Sequence, residues 1–565
     1  MLMKLLLGAS VLVLSAAAAW AGEARQGFSV VEASIPEMQA ALRGSRVTSR
    51  ALVQQYLNRI ATYEDKLHSA LFVNEKALEE ADARDAERRA GRARGPLHGI
   101  PIAVKDNIHT SNMPTTGGAL AFDRMAPPYE ATLVKNLKAA GAIIIAKTGM
   151  TELANWVAGP PTPMPGNYNS LGGQAYNPYD PRRDPRDGFF DGRPALVTGG
   201  SSSGVGTAAN FWAANVGTET SGSILTPSNA TMLVGIKPTV GRVSRYGVIP
   251  ITADQDTPGP MAKTVADAAI MLGVLEGTPD PNDPATTACQ APPGNDYTAF
   301  LSRDALKGAR IGIPRAFFYE PMQLGVFGPM GGLDPARKEA MEQAIAVLKR
   351  EGAEIVEADI PSIVDTDLSS NFINWGMCGT ANDMHGQDGH CSIAFKYGMK
   401  RDFNAWLKSL GAASQVKTLT ELREWNLFHA AAGTLKYGQA LLDISDDVDL
   451  ARDRARYAED RAKDVRLGGQ HGIDEALKTH RLDALLFPGN TGAAIAARPG
   501  YPTVIVPFAL VPNTPAPPFP QGFEAKPAPF GVSFAGTACS EPKLLGLAYA
   551  FEQATKRRVP PPGAP

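Results

Sequence analysis

Apolar positions along the chain follow two patterns, one typical of amphipathic helices and one typical of buried strands. Apolar residues at three- and four-residue intervals predict helices, the first of which opens on a capping box at Ser34. Short unbroken apolar runs predict strands covered on both faces. Helices are predicted at 35–42, from 49, at 75–89, 131–140, 206–212, 264–275 and 335–350, through much of 418–470, and from 541. Strands are predicted at 100–104, 142–146, 234–237, 311–313, 354–356, 484–487, 503–506 and 531–534.

The alternation of helices with apolar strands predicts the fold class. Such alternation is typical of a sheet covered by helices. We therefore expect an α/β fold with a mixed, mostly parallel central sheet flanked by helices on both faces. Residues 22–565 are predicted to form one domain, in which a more variable region at about 277–480 acts as a lid and sets specificity.

The N-terminus carries the pattern of a secretory signal. Lys4 precedes the apolar run 5–19, which closes on an A-x-A cleavage site at Ala19 to Ala21. A membrane anchor is the alternative, but the run is too short to span a bilayer comfortably. We expect residues 1–21 to be a signal peptide, the mature protein to be periplasmic or secreted, and no stable membrane anchor.

Composition narrows the class of protein. The chain has 565 residues, of which 44% are hydrophobic and 20% charged, as in soluble globular proteins. A net charge of −2 gives no electrostatic case for nucleic acid or for an anionic membrane. The four cysteines fit no zinc pattern, and we expect no metal site. They allow three disulfide pairings, among which Cys378 with Cys391 would close a short loop.

Two segments pack hydroxyls among glycines, GGSSSG at 199–204 and GTETSGSI at 217–224. The second ends a predicted strand, so Ser223 is expected on a tight turn with backbone N–H groups beside it. Small residues let such groups approach a ligand closely. This is how a chain builds a serine nucleophile with an oxyanion hole. The alternative is that both segments are flexible loops.

Lys105 is a further candidate for this chemistry. The predicted buried strand 100–104 delivers Lys105 at its end, which is an unusual place for a charge. Lys105 either extends to solvent or pairs with a carboxylate such as Asp106, or it is held for chemistry.

Two other serine chemistries are represented by short motifs. Residues 200–204 satisfy G-x-S-x-G with Ser202 as nucleophile, and a Ser-His-Asp type hydrolase would then need a histidine. His429, His471 and His480 follow, none in a recognisable context. Residues 540–543 satisfy S-x-x-K but lack the companion motifs of penicillin-binding enzymes, which favours a helix start.

Taken together, Lys105 and the two serine segments resemble the amidase signature family. The resemblance runs from about residue 35 to the C-terminus, and the GTET sequence at 217–220 is most similar to the bacterial peptide-amidase branch. The matching segments are 98–106 (HGIPIAVKD), 147–152 (KTGMTE), 199–204, 217–224, 235–239 (GIKPT), 241–247 and the closing helix at 545–555.

The resemblance implies a Ser-cisSer-Lys triad. Ser223 is the expected nucleophile, Ser201 the bridging serine and Lys105 the base, with a cis peptide between Gly200 and Ser201. The implied oxyanion hole consists of the N–H groups of Thr220, Ser221, Gly222 and Ser223. Ser202 and Asp106 are expected to support the triad. Neither a metal nor an organic cofactor is implied.

The chain departs from the family pattern in one spacing. Ser201 and Ser223 lie 22 positions apart, two fewer than the family pattern implies. If the gap follows Trp212, both serines keep their places; if it falls near Ser203, Ser202 takes the bridging role.

The function implied is that of an exported amidase. It would hydrolyse a carboxamide of a small molecule or peptide through an acyl-serine, releasing a carboxylic acid and ammonia or an amine. The alternatives are the Ser-His-Asp type esterase or hydrolase with Ser202 and a catalytically inactive amidase-like binding protein. Membership of a tRNA-linked amidotransferase complex is disfavoured by the predicted signal peptide.

Overall fold

The computed structural model describes residues 27–186, 191–323, 328–385 and 387–565. The predicted signal peptide, 1–21, lies outside these residues. Within them, no helix combines the length and the apolar character needed to cross a bilayer.

The helices observed in the described ranges agree with most of the predicted ones. Their bounds are α1 Ile35–Arg43, α2 Ser49–Leu67, α3 Ala77–Arg89, α4 Thr132–Ala139, α5 Val205–Ala208, α6 Leu225–Ala230, α7 Val265–Glu276, α8 Pro335–Arg350, α9 Pro361–Val364, α10 Ala394–Leu410, α11 Leu419–Phe428, α12 Ala440–Asp446, α13 Arg454–Val465, α14 Asp474–His480, α15 Ala493–Ala497 and α16 Glu541–Thr555. The predicted capping box at Ser34 is present at the start of α1.

Each predicted strand coincides with an observed one, and the last two are longer than predicted. The strands are β1 Ala70–Val73, β2 Pro101–Lys105, β3 Ile143–Thr148, β4 Tyr168–Asn169, β5 Gly173–Gln174, β6 Ala214–Glu219, β7 Val234–Lys237, β8 Thr257–Ala262, β9 Arg310–Ile313, β10 Pro321–Gln323, β11 Pro329–Gly331, β12 Glu354–Glu357, β13 Gly376–Met377, β14 Cys391–Ser392, β15 Ala484–Pro488, β16 Thr503–Val511 and β17 Ala528–Ala535.

Eleven of the strands in the described residues form one mixed sheet, in the order β1-β3-β2-β6-β8-β7-β16-β17-β15-β9-β12. Helices α3, α6, α7, α8 and α16 contact its strands. The mixed α/β class is confirmed, but "mostly parallel" is wrong. Parallel pairing is confined to β3-β2-β6 and β15-β9-β12, and every other neighbouring pair is antiparallel. Apolar runs mark burial, but they do not encode the direction of the neighbouring strand.

Helix α5 is shorter than the helix predicted at 206–212. The indole of Trp212 folds back over Gly206, where an added Cβ would lie 2.1 Å from the ring. Its Nε1–H donates to the Thr207 hydroxyl at 2.7 Å. Asn210 takes a positive φ of 57°, and this conformation keeps helix α5 from continuing to Trp212.

The region 277–480, predicted as a lid, contributes to two parts of the fold. Strands β9 and β12 extend the central sheet. Helices α10, α11 and α12 instead build a second hydrophobic cluster with residues between Ala119 and Tyr168.

The four cysteines form two disulfides, Cys289–Cys539 and Cys378–Cys391. The second is the short-loop pair considered from the sequence. Asp383 lies beside Cys378 and Cys391 in a grouping with metal-ligand geometry, but both sulfurs are engaged in the disulfide.

Candidate active site

Lys105 is the last residue of β2 and is fully buried. Its Nζ lies 3.1 Å from Ser201 Oγ, 2.8 Å from Thr218 Oγ1 and 3.3 Å from the Thr218 carbonyl oxygen. Thr218 belongs to β6, the parallel neighbour of β2. The ends of these adjacent strands bring Lys105 to Thr218, and the segment before α5 brings Ser201 to the same amine.

Burial lowers the pKa of Lys105 to about 7, while the carboxylates of Asp256 and Glu219 act in the opposite direction. No carboxylate in the described residues forms an ion pair with Lys105. An ammonium group loses hydration in such a place without gaining a counter-ion, so the neutral amine is favoured.

Asp106 turns away from Lys105. Its Oδ1 lies 3.0 Å from Lys147 Nζ, and both side chains are fully buried. Its Oδ2 accepts the N–H of Thr116 at 3.1 Å and the Thr116 hydroxyl. The alternative in which Lys105 pairs with Asp106 or reaches solvent is therefore wrong.

Ser201 and Ser202, the first two of three consecutive serines, differ in what their hydroxyls contact. Ser201 Oγ contacts Lys105, whereas the Ser202 hydroxyl donates to the Thr218 carbonyl at 3.0 Å and accepts the Thr218 N–H at 3.1 Å. The Ser202 N–H donates to the Ser223 carbonyl at 3.2 Å, which joins the two serine segments. Of these two serines, Ser201 is the one whose hydroxyl contacts Lys105.

The predicted cis peptide between Gly200 and Ser201 is wrong. Among the described residues, the cis peptides are Pro160–Pro161 and Ala516–Pro517. Gly200 instead takes a positive φ of 47°. Positive φ is open to glycine, and a Cβ here would lie 2.6 Å from the ring of Pro227.

Ser223 lies on the turn between β6 and α6 and is partly exposed, unlike Ser201 and Ser202. Within the described ranges, its hydroxyl forms no hydrogen bond with the protein, and none joins it to the hydroxyl of Ser201. Hydrogen bonds in active sites often tighten only when substrate binds.

Glu219 organises the turn that holds Ser223. Its carboxylate accepts the N–H groups of Gly222 at 2.8 Å, Ile224 at 2.7 Å and Leu225 at 2.9 Å. The Gly222 N–H is therefore occupied, which is a correction to the predicted oxyanion hole. In the part of the chain that the structure describes, the N–H groups of Thr220, Ser221 and Ser223 donate to no protein acceptor.

Sequence reasoning assigned no role to Thr218, Glu219 or Asp256. A glutamate three positions before a glycine at a strand end is a usable signal for Glu219, because a carboxylate there can accept the free amides of the following turn. Thr218 and Asp256 are recognised only from the structure, since Lys105 and Thr220, the site residues they contact, are distant from them in sequence.

The other serine chemistries lack their partners in the described residues. His429 contacts the Trp425 carbonyl, and His471 lies between Asp365 and Glu475. No recorded contact joins these histidines or His480 to Ser202. In the S-x-x-K motif, Lys543 pairs with Asp483, and the Ser540 hydroxyl donates to the Thr537 carbonyl oxygen.

Comparison with known proteins decides the family. The amidase family profile matches residues 51–545. The chain belongs to the amidase family. A putative amidase of Arthroderma benhamiae is 34% identical over 528 residues, which are 92% of this chain and 81% of that protein. A probable amidase of Arabidopsis thaliana is 31% identical over 562 residues, which are 99% of this chain and 96% of that protein.

Among solved structures, the native peptide amidase of Stenotrophomonas maltophilia superposes with a TM-score of 0.75 at 35% identity, covering 94% of this chain and 98% of that chain. This chain is therefore an amide hydrolase. Its similarity to a peptide amidase agrees with the prediction made from its GTET sequence.

Proposed function

We propose that this amidase is exported and cleaves the C–N bond of a small-molecule or peptide carboxamide through an acyl-serine, with Ser223 as nucleophile, Ser201 as proton bridge and Lys105 as base. The observation that carries the proposal is the buried Lys105 amine, 3.1 Å from Ser201 Oγ. The similarity to a peptide amidase supports the substrate class.

The first half of the reaction forms the ester. Ser223 Oγ attacks the amide carbon while its proton passes to Ser201 Oγ, and the Ser201 proton passes to Lys105 Nζ. The C–N bond then breaks, and the proton returns from Lys105 through Ser201 to the leaving nitrogen. Ammonia or an amine departs, and the acyl group remains on Ser223.

The second half uses water. Lys105, acting through Ser201, accepts a proton from the attacking water, and the ester C–O bond breaks. The carboxylic acid leaves and Ser223 regains its proton. A base with a pKa near the working pH suits both halves, because it must accept and release the same proton.

The N–H groups of Thr220, Ser221 and Ser223 stabilise the oxyanion. Their freedom from protein acceptors supports this role. Removing one such donor typically slows an enzyme about 10²- to 10³-fold.

Export is supported by the N-terminal pattern and by both disulfides. Disulfides persist in oxidising compartments such as the periplasm. Expression of the full chain in a Gram-negative host tests this point. We expect a periplasmic protein beginning at Gly22, and an intact N-terminus in the cytoplasm contradicts export.

The chemical proposal is tested with peptide amides, aryl anilides and aliphatic amides. Wild type is compared with Lys105→Ala and Ser223→Ala, and a fluorophosphonate probe is located by mass spectrometry. We expect wild type to hydrolyse at least one class and to carry the probe on Ser223. Full activity of Lys105→Ala at neutral pH excludes this mechanism, and a wild type that neither hydrolyses nor labels favours the inactive binding protein.

A further inference from the structure

Thr220 lies where the ladder between β6 and β8 ends. The last register pair of these antiparallel strands is Glu219 with Thr257. Beyond it, Thr220 no longer has a strand partner, yet its N–H is one of the proposed oxyanion donors. Something other than the sheet must therefore fix its orientation, since such donors act only when held in place before the reaction.

Two side chains that directly precede β8 hold Thr220 from opposite ends. The Thr220 hydroxyl donates to Asp256 Oδ1, and Gln255 Nε2–H donates to the Thr220 carbonyl oxygen at 3.1 Å. All three residues are buried. The side chains thus continue the contact between the strands for one residue past the last backbone pair.

Asp256 is itself fixed. Its Oδ2 accepts the N–H groups of Ile251 at 2.9 Å and Thr252 at 3.0 Å. A carboxylate has four lone-pair sites, so it can accept these amides and the Thr220 hydroxyl together. Removing the side chain would leave all three donors without this partner.

We infer that Gln255 and Asp256 form a clamp on Thr220 and are positioning residues of the oxyanion hole. The inference rests on the proposed function and deepens it, because neither residue touches the reacting atoms. The effect we infer for both residues reaches the reaction through the direction of the Thr220 N–H. Asp256 also raises the pKa of Lys105, so the Gln255 variant is the one that tests the clamp alone.

The structure offers a matched control for each residue. Asp85 is another carboxylate, exposed to the same 7% as Asp256, that accepts two backbone amides, from Ser49 at 2.7 Å and Arg50 at 3.0 Å. Gln39 is buried and donates from Nε2 to the carbonyls of Pro96 and His98. Both controls lie among the N-terminal helices, away from Ser223.

The experiment compares Asp256→Ala with Asp85→Ala and Gln255→Leu with Gln39→Leu. The readouts are kcat and KM for an amide and the rate of fluorophosphonate labelling of Ser223, corrected for the folded fraction. We expect the two clamp variants to lose about 10- to 100-fold in kcat and in labelling rate at nearly constant KM, as a partly displaced oxyanion donor should. The control variants should lose stability alone.

A second pair of variants separates positioning from packing. Thr220→Val keeps the shape but removes the hydroxyl, and Thr220→Ser keeps the hydroxyl. We expect Thr220→Ser to retain most of the labelling rate and Thr220→Val to match Asp256→Ala. Clamp variants that behave like their controls overturn the inference while leaving the proposed function intact. A wild type that neither labels nor hydrolyses overturns both.

Discussion

Two buried lysines on neighbouring strands show how surroundings decide the role of an amine. Lys105 ends β2 and Lys147 lies in β3, where it is the register partner of Val104. Side chains alternate across a strand, so the two lysines point to opposite faces of the sheet. Both are fully buried, and burial lowers the pKa of each.

The difference between them is the partner. Lys147 has Asp106 at 3.0 Å, and that carboxylate opposes the effect of burial on the lysine pKa. Lys105 has hydroxyl and carbonyl oxygens within reach. A nearby carboxylate opposes the loss of the lysine proton, whereas a buried lysine without one gives up its proton more readily.

The largest expected effect is the loss of activity when Lys105 is replaced. Lys105→Met should lower kcat/KM by at least about 10³-fold, because a positioned general base is worth about 10²–10⁴-fold and the nucleophile depends on it. Lys263→Met is the control, since Lys263 is buried but contacts Asn210 at 2.8 Å outside the site. Steady-state kinetics on an accepted amide measure both. Comparable losses in both variants would mean that the effect is structural.

The free energy of unfolding should show the reverse order, with the larger loss in the Lys147 variant. Lys147→Met leaves Asp106 buried without its counter-ion and should lower the free energy of unfolding by about 3–5 kcal/mol. Urea unfolding measures this, and the double variant with Asp106→Asn should recover part of the loss. An equal loss in Lys105→Met would erase the proposed contrast.

Lys105→Met should be more stable than wild type, by an amount that depends on pH. The pKa of Lys105 is about 7 in the folded protein, below its ordinary value of 10.5. Between these values the unfolded chain binds the extra proton, so wild-type stability rises with pH. The advantage of Lys105→Met should be on the order of a few kcal/mol below pH 7 and should vanish near pH 10. Urea unfolding from pH 6 to 10 checks this slope, and a pH-independent difference contradicts it.

The smallest expected effect is the loss of stability when Ser202, the serine that does not contact Lys105, is replaced. Ser202→Ala removes two hydrogen bonds to Thr218 and should cost about 1–3 kcal/mol of stability. Its Ser223 labelling rate should stay close to wild type, whereas Ser201→Ala should lose labelling. The reverse result assigns the bridging role to Ser202, as a gap near Ser203 would require.

The Lys105 half of the comparison between the two lysines could be predicted from the sequence. The apolar run before Lys105 predicted a buried strand that ends on an amine, and the glycine–serine segments predicted where the hydroxyls lie. The partner of Asp106 was not readable, because Lys147 is reached through the pairing of two strands. The direction of the outer strands was not readable for the same reason. The contact of Glu219 with the Gly222 N–H is local, and its sequence signal was missed.

The most direct test of the central claim is a titration of Lys105 itself. Spectra of protein labelled with carbon-13 at lysine Cε follow each amine with pH, and the Lys105 signal is the one lost in Lys105→Met. We predict a midpoint near pH 7, matched by a rise of kcat/KM through the same pH. A Lys105 amine that stays protonated to pH 10 would contradict the account.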